Sequence, residues 1–292
     1  MPIERIMEQS SAVTDKESAD ETILKDAGFY WREKDGVKIL VSRQLEDAGF
    51  INGFSTRLGG VSPFPEDSLN LAGFKDDERE NIYENRRRFL SALGTDHKLA
   101  LAFQNHGDNI LRVDSAADAT DADTHADTVM SDAEHVLAGV KTADCVPILV
   151  ADPKTRAFAA VHAGWRGTVH SIVAKAAAEL GRSYGARTED LIAAIGPAAS
   201  CGMYEVGQEV IQQFATNFAD SGRYFTPTRE GHALVDLHNA NRDQLIQVQV
   251  RPAQISVAPF CTMERSDLFF SYRREKQDFG RTGRLLSVIG RR

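Results

Sequence analysis

The sequence lacks long hydrophobic runs, and no apolar stretch approaches the roughly 18–20 residues that a membrane-spanning helix requires. Its first 22 residues, MPIERIMEQSSAVTDKESADET, contain no apolar segment of the kind found in secretory signals. Cysteine is also scarce, because the chain has only Cys145, Cys201 and Cys261. An odd, sparse set argues against a disulfide framework and is typical of a reducing cytosol. We therefore expect a cytoplasmic protein with no membrane partner.

An excess of positive charge is missing as well. The chain has 34 Lys and Arg against 42 Asp and Glu, which gives a net charge of −8. A polyanion requires a basic face, so we expect no nucleic-acid partner. Arginine is nevertheless concentrated near the C-terminus, at Arg273, Arg274, Arg281, Arg284, Arg291 and Arg292. This concentration is compatible with a local pocket for a small anion.

The polar, acidic N-terminus predicts a disordered tail over residues 1–25. The remaining residues, 26–292, are enough to bury a substantial core. They show no internal repeat and no convincing linker. We therefore predict one catalytic domain over residues 26–292.

Strand and helix patterns alternate along this segment. Apolar runs predict strands at VKILV, FINGFS, LALAF, VPILVAD, AFAAVHAG, LIAAIG, QISVA and RLLSVIG. Helical spacing predicts helices over Asp76–Gly94, Thr168–Arg182, Val206–Phe218 and Leu237–Val248. The acidic stretch DSAADATDADTHAD, residues 114–127, has no periodicity and is interpreted as a surface loop. This intermingling predicts an α/β or α+β domain with a mixed sheet.

Three residues point to chemistry, namely His106 in QNHGDN, Cys145 in KTADCVP and His162 in AVHAGWRGT. Two imidazoles and one thiolate can hold Zn²⁺ or a related metal and leave a fourth position for water or substrate. The same trio could instead supply a thiol nucleophile and a histidine base. Cys145 precedes one predicted buried strand and His162 ends the next, so a hairpin would bring both to one edge of a sheet.

Other residues are candidates for supporting roles. Asp144, beside Cys145, could orient a ligand, and the remaining cysteines are interpreted as structural. GWRGT opens a predicted helix, whose N-terminus favours an anion, and Arg166 adds a charge there. The segment STRLGGVS places Arg57 next to two glycines, and FFSYRRE supplies Arg273. Guanidinium groups bind oxyanions in a bidentate manner, so Arg57, Arg166 and Arg273 are predicted phosphate contacts. The same residues also have simpler explanations. The glycines of GWRGT can form a tight strand-to-helix turn, and part of the arginine cluster can lie on a solvated surface.

The ordered set FSTRLGGVS, SLNL, QNHG, ADTVMSD, TADCVPILVADP, AVHAGWRGT, AIGPAAS, YEVG, FCT and FFSYRRE resembles the YfiH family. That family is also called laccase-domain, multicopper polyphenol oxidase or peptidoglycan editing factor. The similarity runs from about Phe54 to Ile289. One small departure is Asn105, where the family usually has an apolar residue before the histidine.

The resemblance implies a single αβα-layered domain with a metal site of His106, Cys145 and His162, usually occupied by zinc, with copper as the alternative. It also implies activity on purine nucleosides, namely phosphorolysis of adenosine, inosine and methylthioadenosine and deamination of adenosine. The laccase name is less fitting, because one Cys-His₂ set does not supply the mononuclear and trinuclear copper centres of such oxidases. We expect purine nucleosides and phosphate as small-molecule partners, and a monomer or weak homodimer.

Two further interpretations stay open. Cys145 as nucleophile and His162 as base would cut an amide, for example in a misassembled cell-wall precursor, as the editing-factor name implies. The second of these is a binding module that a metal ion stabilises and that catalyses no reaction.

Overall fold

Strands and helices alternate along the whole of the described chain. The computed structural model describes residues 18–72, 77–119 and 121–292. The strands are β1 Phe29–Lys34, β2 Val37–Ser42, β3 Phe50–Ser55, β4 Lys98–Phe103, β5 Ile110–Arg112, β6 Asp121–His125, β7 Thr128–Ser131, β8 Val136–Thr142, β9 Val146–Ala151, β10 Phe158–Ala163, β11 Ile192–Ile195, β12 Glu205–Gly207, β13 Phe225–Pro227, β14 His232–Val235, β15 Ile255–Val257 and β16 Leu285–Arg291. The helices are α1 at residues 18–27, α2 Arg43–Asp47, α3 Arg79–Leu93, α4 Trp165–Val169, α5 Ile172–Tyr184, α6 Gln208–Asn217, α7 Leu237–Gln247 and α8 Tyr272–Phe279.

These strands form two large mixed sheets and a small one. The seven-stranded sheet has the order β1-β2-β3-β16-β8-β4-β6, and the six-stranded sheet has the order β15-β11-β9-β10-β7-β5. Strands β12, β14 and β13 form a three-stranded antiparallel sheet. Parallel pairs such as β4 with β8 occur beside antiparallel pairs such as β16 with β3. The predicted mixed α/β class is confirmed.

The two large sheets pack face to face. Side chains of the seven-stranded sheet, such as Phe54 and Ala138, share one core cluster with Leu149 and Phe158 of the six-stranded sheet. Helix α3 covers the outer face of the seven-stranded sheet, and α5 covers the outer face of the six-stranded sheet. The β layer of the αβα arrangement therefore consists of two stacked sheets.

The predicted pair of buried strands is β9 and β10. Both are fully buried, as expected for apolar runs in the middle of a sheet. They pair in antiparallel register, with His162 opposite Pro147 and Ala163 opposite Val146. This register places Cys145, which directly precedes β9, at the same end of the hairpin as His162.

Two of the predicted helices have different bounds. The helix predicted from Thr168 is divided into α4 and α5, because Ser171 between them adopts a left-handed φ of 56°. The helix predicted over Val206–Phe218 begins only at Gln208, because the preceding residues pair as β12. Asp76, the predicted start of another helix, lies outside the described residues.

The acidic stretch over residues 114–127 is not only a loop. Its residues Asp121–His125 form β6 and extend the seven-stranded sheet by pairing with β4. The periodicity of the sequence does not show this, because the pairing depends on an available edge of β4 rather than on apolar alternation.

The predicted disordered tail is corrected in part. Residues 1–17 lie outside the described part of the chain, whereas residues 18–25 belong to helix α1. Leu24 on this helix is buried in the core between the sheets, and Asp20 pairs with Arg265 at 2.9 Å. Tertiary contacts therefore order a segment whose composition alone predicts disorder. Among the described residues, no helix has the length and apolar character needed to cross a membrane.

Candidate active site with two histidines and a cysteine

Three separate segments bring their donor atoms to one place. His106 follows β4, Cys145 lies between β8 and β9, and His162 belongs to β10. Their ligand atoms all lie within 4.8 Å of one another. The two imidazole rings are 5.0 Å apart between centroids and stand edge to face. His162 is buried, Cys145 is half-buried and His106 is exposed, so the group has a solvent-facing side.

The backbone is constrained to permit this approach. His106 has a φ of 62° and Asp144 has a φ of 86°, both in the left-handed region that costs a non-glycine residue roughly 1–2 kcal/mol. Gly164 lies against the donors, because a Cβ there would be 3.0 Å from Cδ2 of His106 and 3.1 Å from the sulfur of Cys145. Such strain and close packing are typical of functional sites.

A buried carboxylate, Asp127, organises two of the three donors. Its Oδ1 accepts hydrogen bonds from Nδ1 of His162 at 2.7 Å and from the backbone N–H of His106 at 3.0 Å. Its Oδ2 accepts from the backbone N–H groups of Gly107 at 2.8 Å and Asn105 at 3.3 Å. This carboxylate fixes the tautomer of His162, so that Nε2 carries the free lone pair of the neutral ring.

Cys145 and His162 perturb each other strongly. Burial alone raises the pKa of the Cys145 thiol, but the charge of His162 and hydrogen bonds from both histidines outweigh it and lower this pKa to about 6. Burial alone lowers the pKa of His162, but the thiolate and Asp127 outweigh it and raise this pKa to about 9. The two shifts act in the same direction and favour a thiolate–imidazolium pair in the metal-free site.

The three donors line an open cleft of about 770 Å³. This volume lies within the roughly 300–1,000 Å³ of small-molecule sites. Its wall combines aromatic, cationic and acidic side chains with the Cys-His₂ group, and consists of Ala102, Phe103, Gln104, His106, Asp121, Asp123, Lys141, Thr142, Ala143, Asp144, Cys145, His162, Trp165, Tyr204, Tyr272, Arg273 and Arg284.

Of the three predicted anion ligands, Arg273 is the one that the structure brings to this cleft. Its guanidinium lies 4.8 Å from the centroid of the Tyr204 ring and donates to the carbonyl of Glu205 at 2.8 Å. Burial and the nearby Cys145 charge raise the pKa of Tyr204 to about 12, so its phenol is neutral near pH 7. The cleft thus presents a cation that is held over an aromatic face.

The other two predicted anion ligands lie elsewhere. Arg57 pairs with Glu275 of α8 at 2.9 Å and donates to the carbonyl of Ser266 at 2.8 Å. Arg166 stacks 4.1 Å from the centroid of its neighbour Trp165 and approaches Glu209 at 3.7 Å. Neither arginine is among the cleft-lining residues.

The carboxylate of Asp144, the residue predicted to orient a ligand, binds groups outside the Cys-His₂ set. Its carboxylate accepts from the hydroxyls of Thr262 at 2.7 Å and Ser271 at 3.0 Å, and from the backbone N–H of Arg273 at 2.7 Å. Asp144 therefore joins the loop of Cys145 to the start of α8. The carboxylate that accepts hydrogen bonds from both histidine residues is that of Asp127.

Asp127, Tyr204 and Trp165 also belong to the candidate site, although the sequence did not lead us to predict them. Asp127 ends an acidic stretch that resembles a solvated loop, and only its place in the motif ADTVMSD distinguishes it. Trp165 directly follows the motif glycine after His162, which was an available signal. Tyr204 has no distinguishing local pattern, because its place in the cleft depends on tertiary packing.

The donor set fits a borderline metal ion such as Zn²⁺. Zinc bonds nitrogen at about 2.0–2.1 Å and sulfur at about 2.3 Å, so two of its ligands lie within about 4.4 Å of each other. The observed limit of 4.8 Å requires only small side-chain rotations. Metal binding needs a thiolate and a neutral imidazole. The lowered pKa of Cys145 provides the thiolate, and the hydrogen bond from Nδ1 of His162 to Asp127 leaves Nε2 as the ligand atom. Because the pKa of His162 is raised, its ring has to release a proton when a metal binds.

One other group of potential ligands occurs in the described part of the chain. It consists of Asp96, His97 and His135. Both ring nitrogens of His97 already have partners, the hydroxyl of Thr95 at 2.7 Å and the carbonyl of Arg291 at 2.9 Å. With His97 engaged, this group offers too few free imidazoles for a trinuclear copper centre, so the described residues do not reproduce the several centres of a multicopper oxidase.

Fold and site together define a mixed α/β protein with a candidate Cys-His₂ metal centre in an open cleft. Residues 51–292 match the family described as multi-copper polyphenol oxidoreductase laccase, a description that implies metal binding. The chain therefore belongs to this laccase-domain family, also known as the YfiH family.

Relatives of known name are similar over most of their length. The purine nucleoside phosphorylase of Bacteroides thetaiotaomicron is 34% identical over 244 residues, which cover 80% of this chain and 89% of the relative. The purine nucleoside phosphorylase YfiH of Escherichia coli is 32% identical over 252 residues, with coverages of 86% and 98%. The crystal structure of YlmD from Geobacillus stearothermophilus superposes with a TM-score of 0.82 at 32% identity, covering 91% of this chain and 99% of YlmD.

Proposed function

We propose that this protein is a purine nucleoside phosphorylase that also deaminates adenosine and phosphorolyses methylthioadenosine. The names of its relatives support the reaction class. The observation that carries the proposal is the convergence of His106, Cys145 and His162 at one wall of a 770 Å³ cleft. A cleft of this size accommodates a nucleoside, and its aromatic side chains offer faces on which a purine stacks.

We propose that Zn²⁺ is the ion held by the Cys-His₂ group, with Cu²⁺ as the alternative. A bound Zn²⁺ acts as a Lewis acid and lowers the pKa of water toward 7, which serves hydrolytic deamination. Asp127 holds the His162 ring in place through its 2.7 Å hydrogen bond. His106 is positioned by the same carboxylate through its backbone.

The remaining residues bind and orient the substrate. Trp165, Tyr204 and Tyr272 supply aromatic surface around the nucleoside, and Arg273 contacts its oxygen atoms or an incoming oxyanion. In phosphorolysis, a phosphate oxygen forms a bond to C1′ of the ribose. The bond from C1′ to the purine nitrogen breaks, and its electron pair leaves with the base, which takes up a proton. Preorganised cations stabilise the charge that moves in this step.

Residues 26–292 form the proposed catalytic domain. Support comes from strand β16 near the C-terminus, which pairs with β3 on one side and with β8 on the other. One sheet therefore contains strands from the beginning, middle and end of this segment. The scarcity of cysteine supports a reducing, cytoplasmic location.

The test is a product assay on the metal-loaded protein. Incubation with adenosine and phosphate is expected to yield adenine, ribose 1-phosphate and inosine. The Cys145→Ala variant is expected to lose at least about 100-fold in turnover, since it removes a ligand of the central ion. Cys201→Ala, which changes an exposed thiol outside the cleft, is the matched control. Absence of products from the unmodified protein, or full activity of Cys145→Ala, contradicts the proposal.

A second function, cysteine-type amide hydrolysis, is favoured by one specific observation. Cys145, His162 and Asp127 form a thiolate–imidazolium–carboxylate series that resembles a nucleophilic triad. In that case the substrate is an amide such as one in a peptidoglycan precursor, and chelation leaves activity intact. Stoichiometric metal in protein purified without added ions favours phosphorolysis instead. A non-catalytic binding module would lose thermal stability on chelation and convert no nucleoside even when metal is present.

A further inference from the structure

A second, smaller cavity lies next to the cleft. Its volume is about 180 Å³, and Tyr272 and Arg284 line both this cavity and the cleft. The volume falls below the roughly 300–1,000 Å³ of pockets that bind drug-sized ligands. The cavity is therefore too small for a nucleoside and suits a compact ion.

The charged side chains around this cavity are mainly cationic. Lys276, Arg281 and Arg284 line it, and Asp77 is the one carboxylate among its lining residues. The oxygens of Asp77 already accept hydrogen bonds from the side chain of Asn81 and from backbone N–H. Three cations against one carboxylate leave a local charge of about +2, which favours an anion.

The three cations have no carboxylate partner among the described residues. Lys276 donates to the carbonyl of Gly280 at 2.7 Å. Arg284 donates to the carbonyl of Gly283 at 3.0 Å. The guanidinium of Arg281 lies 4.3 Å from the ring centroid of Phe64. Each contact positions a positive charge without neutralising it.

The buried acid of α8 does not cancel this charge. Glu275 lies on the same helix, α8, but its carboxylate pairs with Arg57 at 2.9 Å and accepts from the hydroxyl of Thr282. Arg57 and Glu275 thus balance each other. This leaves the charges of Lys276, Arg281 and Arg284 available to a ligand.

We propose that this cavity binds a phosphate-class oxyanion and holds it next to the cleft as the co-substrate of the reaction. The inference rests on the proposed phosphorylase function, which requires an anionic oxygen nucleophile close to the nucleoside. Arg284 lies at the junction of the two spaces and contacts the anion from the cavity side. Lys276 and Arg281 supply the other charge-assisted contacts.

Calorimetric titration of the whole, metal-loaded protein with inorganic phosphate tests this site. Arg281→Gln and Lys276→Gln are each expected to weaken phosphate binding about 10- to 100-fold, the effect of one lost charge-assisted hydrogen bond. Arg187→Gln is the control, because Arg187 is an exposed arginine that pairs with Glu189 outside both spaces. Equal melting temperatures show that the variants remain folded. Unchanged phosphate affinity in both cavity variants overturns the proposal.

Steady-state kinetics provide a second readout. In the cavity variants the KM for phosphate is expected to rise about 10-fold or more relative to the KM for adenosine. An equal rise in both constants contradicts a site that is dedicated to the co-substrate.

A titration with adenosine monophosphate distinguishes the source of the phosphate group. Tight binding of the nucleotide, together with no binding of inorganic phosphate, overturns the assignment to a free co-substrate. A further outcome separates the two proposals. If both cavity variants lose phosphate binding but the unmodified protein converts no nucleoside, the anion site is supported and the phosphorylase function is refuted.

Discussion

At the scale of single residues, the site depends on which atoms carry protons. In the metal-free protein the Cys145 thiol has a pKa of about 6, because nearby His162 and His106 outweigh the effect of burial. The thiolate fraction therefore rises as pH increases through about 6. We expect the rate of Cys145 alkylation by iodoacetamide after chelation to rise through this value and level off above about pH 7. Mass spectrometry of the modified peptides measures this rate.

Cys201 is the internal control for this experiment. Its side chain is largely exposed, but the part that is buried and the charge of Asp236 both raise the pKa of its thiol. Its alkylation should therefore rise only in alkaline solution. A Cys145 profile that follows that of Cys201 refutes the thiolate assignment.

Asp127 provides the second prediction at this scale. Asp127→Asn should reduce Zn²⁺ affinity about 10- to 100-fold, because the carboxylate that orients His162 is lost. It should also reduce the free energy of unfolding by about 1–3 kcal/mol, since the carboxylate accepts from backbone N–H groups of the His106 loop. Competition with a coloured chelator measures the affinity. Asp118→Asn, at an exposed position, should change neither quantity, and an Asp127→Asn variant with normal zinc affinity contradicts the assigned role.

At the scale of elements, helix α8 depends on a long-range ion pair. Glu275 is buried and meets Arg57 of the loop after β3 at 2.9 Å. Arg57→Met leaves the carboxylate without its partner, so we expect a loss of about 3–5 kcal/mol in the free energy of unfolding. Urea denaturation measures this loss.

The double variant Arg57→Met/Glu275→Gln is the matched control. Removal of both charges should cost less than Arg57→Met alone, because no uncompensated charge is left. If the single variant unfolds at the same urea concentration as the unmodified protein, this structural role of Arg57 is wrong.

The sequence predicts elements well where their signals are local. The apolar runs of β9 and β10 and the spacing of Ile172, Val173 and Ala176 in α5 predict buried surfaces that the structure contains. Strand β6 was missed, since its residues are acidic and its pairing depends on the edge of β4. The partner of Arg57 was missed for a similar reason, because residues far apart in sequence leave no local pattern.

The three donor residues could be chosen from the sequence, whereas the residue that positions two of them, Asp127, could not. His106 and His162 stand in the glycine-containing motifs QNHG and AVHAGWRGT, and Cys145 stands in the motif TADCVP directly before an apolar run. The contact of Asp127 with His162 arises from the antiparallel pairing of β7 with β10, which the backbone N–H of His162 continues by donating to the carbonyl of Asp127 at 2.7 Å. Such pairings determine which carboxylate reaches which imidazole, and no spacing rule specifies them.

At the scale of the whole molecule, strand β16 lies inside the seven-stranded sheet, between β3 and β8. It buries Leu285, Leu286, Val288 and Ile289. At about 1.5–3 kcal/mol for each buried side chain, these four account for roughly 6–12 kcal/mol, which is comparable with the total stability of about 5–15 kcal/mol for a folded protein. A chain ending at Arg284 should therefore fail to fold, as measured by near-UV circular dichroism and protease resistance.

Removal of Arg292 alone is the control, because β16 ends at Arg291. That shorter deletion should leave the fold intact. A native-like spectrum for the chain that ends at Arg284 would show that β16 is dispensable.

The position of β16 also has a consequence for synthesis in the cell. Strands β3 and β8 leave the ribosome long before residues 285–291. Until β16 is synthesised, each of them has an unpaired edge at the position that β16 later fills. An unpaired strand edge with apolar side chains readily joins other growing chains. We therefore expect the nascent polypeptide to need shielding, by a chaperone or by rapid collapse, until residues 285–291 emerge and close the sheet.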